Sequence, residues 1–233
     1  HPALSGWWLE CRSLYLCRLY GTRVIEPVGL SSGGRGLGTS DCLGVKKVAG
    51  RCGKRILELG AGTLNHLPYE SDYEAYDIVE PFSRLYQNRQ GLNDVNTVWG
   101  DVSEVEAPGY DKILSIAVLE HVEDLPQVLA KSCGLLNING VFQAGIPSEG
   151  GLIWGLAWRL TTGFEFFCRT GLNYANLMRH EHVNNAREIE LLCRWFFRDV
   201  KVKYFPIYGL HCSLYMYLEC RIPHMDRAKE VLR

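Results

Sequence analysis

Three acidic residues constrain the fold of this chain more than any other feature. Glu58, Glu80 and Asp101 each close a short apolar run, the second 22 positions after the first and the third 21 positions after the second. A spacing of that size holds one strand and the crossover needed to reach a parallel neighbour. The apolar runs are Arg55 to Leu59, Glu74 to Val79, Val95 to Trp99, Lys112 to Ala117 and Val141 to Ile146, with helix candidates at Phe82 to Gln90 and Leu125 to Leu136 between them. Strands separated by helices imply parallel βαβ units in a sheet covered on both faces. The last two β-rich segments, Asp199 to Phe205 and His211 to Cys220, have only a short Pro/Gly-bearing connection between them and predict an antiparallel hairpin. All three carboxylates are then expected at the carboxyl edge of neighbouring parallel strands, where open α/β sheets bind ligands.

A sheet of this size needs a large core, and 233 residues with 47% hydrophobic content can supply one. The 25 basic and 26 acidic side chains nearly cancel, which leaves no broad positive surplus for a phosphate backbone, so nucleic acid is a disfavoured partner. Nine cysteines without a CxxC pair point to a reducing cytosol and to thiols used as small apolar groups, with no metal centre. The start, HPALSGWWLE, lacks the basic and apolar regions of a signal peptide, and the most apolar stretch, Leu152 to Leu160, is too short for a membrane span.

The run Ile56-Leu57-Glu58-Leu59-Gly60-Ala61-Gly62 carries an apolar strand into an acidic residue and two glycines spaced one apart. Glycine lets a backbone take positive φ and approach a ligand closely, and a carboxylate at the next strand end can accept from the two hydroxyls of a ribose. A tight turn beside solvated loop carboxylates is the plainer alternative; the ordered set of three argues against it.

Taken in order, ILELGAG, YDIVEP, WGDV, YDKILSIAVLEHVED and LLNINGVFQAGIP resemble the successive motifs of class I S-adenosylmethionine-dependent methyltransferases, closely from Arg55 to about Pro147 and, through the hairpin, to about Cys220. The resemblance implies a Rossmann-like α/β fold: a mostly parallel seven-stranded sheet with helices on both faces and a C-terminal antiparallel hairpin. It also implies S-adenosyl-L-methionine as cofactor. Glu58 would belong to the cofactor site, the turn Gly60, Ala61 and Gly62 would lie against the methionine part, Glu80 would bind ribose and Pro81 would pack on adenine. Asp101 and the Val102 backbone would contact adenine, and Ser115 and Ile116 would offer backbone to the amino group. The family's third glycine is Leu64 here, a departure expected to reshape the turn and a first helix already compromised by Pro68. A nicotinamide-dependent oxidoreductase, the rival enzyme class, would call for a fuller GxGxxG, which Leu64 interrupts, and for a different end to the sheet. A cofactor-binding protein without turnover is the non-enzyme alternative.

Histidines are the candidates for acid–base work. His121 follows Glu120 just past the fourth run, and His182 belongs to the cluster His180, Glu181, His182; a neutral imidazole in either place could take a proton from an acceptor, or could merely hold a loop. Between the fifth run and that cluster lies an aromatic insertion, with Trp154 and Trp158 one helical turn apart and Phe164, Phe166 and Phe167 beyond. It reads either as core or as a lid over a small-molecule acceptor, an apolar metabolite or a sugar ring. The expected layout is one domain over 1–233. Residues 1–50 form a helical cap (a helix over Leu4 to Tyr20) and a glycine-rich loop (Gly29 to Gly38), 54–147 the cofactor-binding core, 148–180 the insertion, and 181–220 the last helix and hairpin.

Overall fold

The computed structural model describes residues 55–148, 151–158, 160, 168, 171 and 182–233. The expected N-terminal helix, the Gly29 to Gly38 loop, His180, Glu181 and the three insertion phenylalanines lie outside them.

Five strands run parallel: β1 (Arg55–Leu59), β2 (Ala75–Val79), β3 (Thr97–Trp99), β4 (Tyr110–Ile116) and β5 (Leu136–Pro147). Two more, β6 (Phe197–Pro206) and β7 (Ser213–Pro223), form an antiparallel hairpin whose second strand pairs antiparallel with β5. The order across the seven-stranded sheet is β3-β2-β1-β4-β5-β7-β6. The described strands therefore begin mid-sheet with β1, build outward to β3, and return across β1 to build the other half.

Register places Ile56 level with Tyr76 and Lys112, and Leu57 level with Asp77 and Ile113. Successive side chains point to opposite faces, so the sheet has two cores. One gathers Leu57, Leu59, Val79 and Ile113 under the helices α2 (Leu125–Leu135), α4 (Ala186–Phe196) and α5 (Met225–Val231). The other holds Ile56, Tyr76, Ile78 and Leu114 with Ala61, Leu64 and Leu67 from the crossover after β1 and Tyr215 and Tyr217 from β7.

Both long helices start on caps written in the sequence. The Asp124 side chain accepts from the Gln127 amide at the head of α2, and Leu125, Leu129 and Cys133 then recur on its buried side. Asn185 heads α4 with a reciprocal capping box through Glu188, and Ile189, Cys193 and Phe196 face inward. Helix Phe82 to Gln90 is largely missing. Only one turn forms, α1 (Ser83–Tyr86), followed by a 3₁₀ turn at Gln90–Asp94; α1 has no side-chain cap and no fully buried residue, only Tyr86 packing partly buried on the second core, so little offsets the entropy of a longer helix. The crossover after β1 likewise contains only a 3₁₀ turn, Leu67–Tyr69, opened by Pro68.

The run expected from Val95 becomes regular strand only at Thr97. Before it, the Asn96 side chain accepts from the Tyr76 amide while the Asn96 amide donates to the Tyr76 carbonyl, both at 2.8 Å, so a side chain completes the ladder. The aromatic insertion begins as α3 (Leu152–Trp158), with Trp154 buried and Leu152, Ile153 and Leu156 exposed. No described helix is long and apolar enough to cross a membrane.

Candidate active site

The carboxyl ends of β1, β2 and β4 converge on the glycine turn. Gly60 has φ +70° and its amide donates to the Val79 carbonyl, which ties the turn to the end of β2. A Cβ on Gly60 would lie 2.4 Å from Val118 Cγ2, so the loop after β4 closes directly over it. Gly62, at φ +54°, differs: a Cβ there would meet no atom within 4 Å. Ala61 between them is buried. Leu64, where the family has its third glycine, keeps the left-handed backbone at φ +61°. The turn is thus retained at a conformational cost of about 1–2 kcal/mol that glycine would avoid, and the leucine side chain offsets it by entering the second core.

Glu80 sits just past β2 and is almost wholly buried. Its Oε2 accepts from the Gly62 amide at 2.8 Å and its Oε1 from the Phe82 amide at 3.1 Å, so one carboxylate fixes both the glycine turn and the backbone beyond Pro81, itself exposed. Asp101 is exposed at the end of β3 and caps the 3₁₀ turn Val102–Glu104. Its Oδ1 accepts from the Ser103 hydroxyl and amide, and those bonds lower its pKa below the ordinary carboxylate value. Val102 is buried beneath. Ser115, the penultimate residue of β4, is fully buried with no hydrogen bond to its Oγ, and Ile116 beside it is half-buried. Ala117 then turns the chain at φ +52°, its amide held by the Gly145 carbonyl at 2.7 Å.

Glu58 departs from the expected picture. It lies inside β1, paired with Ile78 and Leu114, and points into the second core instead of standing at the rim with Glu80 and Asp101. The Tyr76 hydroxyl donates to its Oε2 at 2.7 Å, and burial raises its pKa above the usual carboxylate value. Close by is a charge cluster that the sequence reading overlooked. Glu70 Oε1 accepts from Lys112 Nζ at 2.5 Å and lies 2.6 Å from His66 Nε2, all three side chains being buried. Burial opposes the Glu70 charge, but the bonds to His66 and Lys112 prevail and lower its pKa. Burial lowers the Lys112 pKa, with Glu70 working against the shift. A signal for the cluster was present: a lysine amid the apolar strand YDKILSI requires a buried partner.

On the β4 side of the edge, His121 ends the 3₁₀ turn Leu119–His121, and its ring meets that of His182 edge to face, with centroids 4.5 Å apart and an interplanar angle of 84°. Two histidines 61 positions apart in sequence are therefore neighbours. His121 Nε2 is also 3.8 Å from the buried Glu120 Oε1. No cluster of three potential metal ligands occurs among the described residues.

No protein-family model and no curated sequence matches the chain. Solved structures do. A S-adenosylmethionine-dependent methyltransferase of Thermotoga maritima superimposes with a TM-score of 0.55 over 76% of this chain and 85% of its own, at 16% identity. The fold is that of the class I methyltransferases. A second such structure, from Archaeoglobus fulgidus, gives a TM-score of 0.52 over 72% of this chain and 85% of its own, at 13% identity. Identities this low speak for the fold alone. The β5-β7-β6 end of this sheet carries the antiparallel pair expected from the sequence.

Proposed function

We propose that this chain transfers the methyl group of S-adenosylmethionine to an oxygen or nitrogen of a small-molecule acceptor, a saccharide or an apolar metabolite. One observation carries the reading: a buried carboxylate, Glu80, is locked onto the amide of Gly62, the glycine that has open space where a side chain would project.

The residues fit the cofactor. Each Glu80 oxygen already accepts one amide and retains a lone pair for a ribose hydroxyl, and Asp101 Oδ2 is left over from the cap for the adenine amine. Two carboxylates with acceptor capacity to spare suit the donors that a nucleoside presents. When bound, the cofactor supplies a sulfonium-activated methyl carbon. In this reading Gly60, Ala61 and Gly62 flank its methionine part, Pro81 and the Val102 backbone border the adenine, and Ser115 and Ile116 lie toward the amino group. Glu58 acts from beneath the turn, through Tyr76. His121 or His182 accepts the acceptor's proton if the attacking group is a hydroxyl, while the surrounding edge aligns the acceptor and excludes water.

Calorimetry with S-adenosylhomocysteine, the demethylated product, tests the assignment. Glu80→Ala should lose on the order of 1.5 to 3 kcal/mol of binding free energy, the range for a hydrogen bond to a charged group. Equal affinity in wild type and variant would overturn the ribose role.

A further inference from the structure

The chain leaving the insertion is clamped to the turn that carries His121 before it enters α4. The amides of Val183 and Asn184 both donate to the Glu120 carbonyl, at 2.9 and 3.1 Å. The Asn184 side chain adds two more bonds, Nδ2 donating to the Leu119 carbonyl at 2.9 Å and to the Val122 carbonyl at 2.6 Å. Within the turn the Leu119 carbonyl accepts only the long bond from the Val122 amide, at 3.4 Å, and a primary amide can bridge two carbonyls because it carries two donors on one atom, whereas aspartate offers none and serine one. The next residue, Asn185, caps α4, whose inner face is buried, so Asn184 is held from the helix side as well.

This clamp lies between the two imidazoles in the chain. His182 is two residues before Asn184, and His121 sits among the three residues whose carbonyls the clamp engages. We infer that Asn184 is a positioning residue: its side-chain amide sets the register between the His121 turn and the exit of the insertion, and so fixes the imidazole pair on the acceptor side of the edge. The cofactor side, built on Gly62, Glu80 and Asp101, makes none of these four bonds. The inference rests on the methyl-transfer reading only in assigning that side to the acceptor; the imidazole geometry is independent of it.

The full chain labelled with ¹⁵N-histidine provides the test, its ring signals observed in long-range ¹H–¹⁵N spectra and assigned with His121→Ala and His182→Ala. An edge-to-face pair displaces ring-proton shifts from those of a free imidazole. In Asn184→Ala the His121 and His182 signals should move toward free values, with S-adenosylhomocysteine affinity within about twofold of wild type. Asn184→Ser, which keeps one donor, should fall between, and it carries the same test if the alanine variant does not fold. Unchanged imidazole signals in the folded variant would overturn the inference. So would a loss of S-adenosylhomocysteine affinity on the order of tenfold alongside the signal change, because the clamp would then be a general structural support. Failure of the wild type to bind S-adenosylhomocysteine would sink the methyl-transfer reading instead, and the ring signals would still decide the role of Asn184.

Discussion

Val118 closes over Gly60 so tightly that a single added methyl group would lie 2.4 Å from its Cγ2, while the same group on Gly62 would meet nothing within 4 Å. Two glycines one residue apart are therefore required for different reasons. Gly60→Ala should destabilise the fold by about 1–3 kcal/mol through overpacking, with a further contribution from its positive φ, and Val118→Ala in the same chain should recover the packing part only. Gly62→Ala should cost only about 1–2 kcal/mol, from its own positive φ and with no overpacking, yet weaken S-adenosylhomocysteine binding. Denaturant melts and calorimetry on the three variants separate the effects, and equal loss of binding in both single variants at matched stability would refute the distinction.

Glu58 predicts a pH effect of known sign. Its folded pKa is raised, chiefly by burial, so the ionised form is the one disfavoured by folding. The penalty is absent below the unfolded carboxylate value of about 4.3 and grows as pH rises through the folded value. Glu58→Gln, which can still accept from Tyr76, should melt above wild type at pH 8 and lose that advantage by about pH 4. A constant difference across the range would show that the carboxyl group is not titrating in the fold.

The Glu70 cluster has the opposite sign. A depressed folded pKa gives stability that is present above the unfolded carboxylate value and is lost as pH falls through the folded one. Lys112→Met removes one of the two groups that lower it and leaves a buried carboxylate beside His66 alone. We expect a loss of about 3–5 kcal/mol at neutral pH and an acid transition that begins at higher pH than in wild type. Urea titrations at pH 7 and pH 4 would reveal both.

Trp154 is 5% exposed, on a helix that packs against β7 and the turn Leu210–Cys212. A core role is the better account of this residue, and Trp154→Ala should cost about 3–5 kcal/mol. Lost acceptor turnover with an unchanged melting temperature would return it to the lid.

How far these features could be read from the chain alone follows from how local each signal is. Strand existence and the start of α2 were legible because apolar runs and helical spacing act over a few residues, as at Arg55–Leu59 and Leu125, whereas bounds set by pairing were not: β5 begins at Leu136, expected in the helix, and not at Val141. The failure at Phe82 to Gln90 has a different cause: a pattern of helix-compatible residues cannot report that no neighbour will cover them. Glu58 was recognised as a motif carboxylate, but its orientation depends on Tyr76, 18 positions away on another strand. Both imidazoles were singled out separately; their contact and the Asn184 clamp needed the insertion's exit to be placed against the β4 edge.

The strand order has a consequence for how the molecule is made. β7 lies between β5 and β6, so the sheet is closed by a strand inserted into its interior rather than added at its rim. During synthesis, Phe142 to Pro147 must wait with an unpaired flank while the whole of β6 is produced, and β6 itself has no sheet partner until β7 appears. A nascent chain stalled just before Ser213 would carry five ordered strands with an open hydrogen-bonding edge. That stage of its manufacture is the one at which it is most exposed to pairing with a stranger.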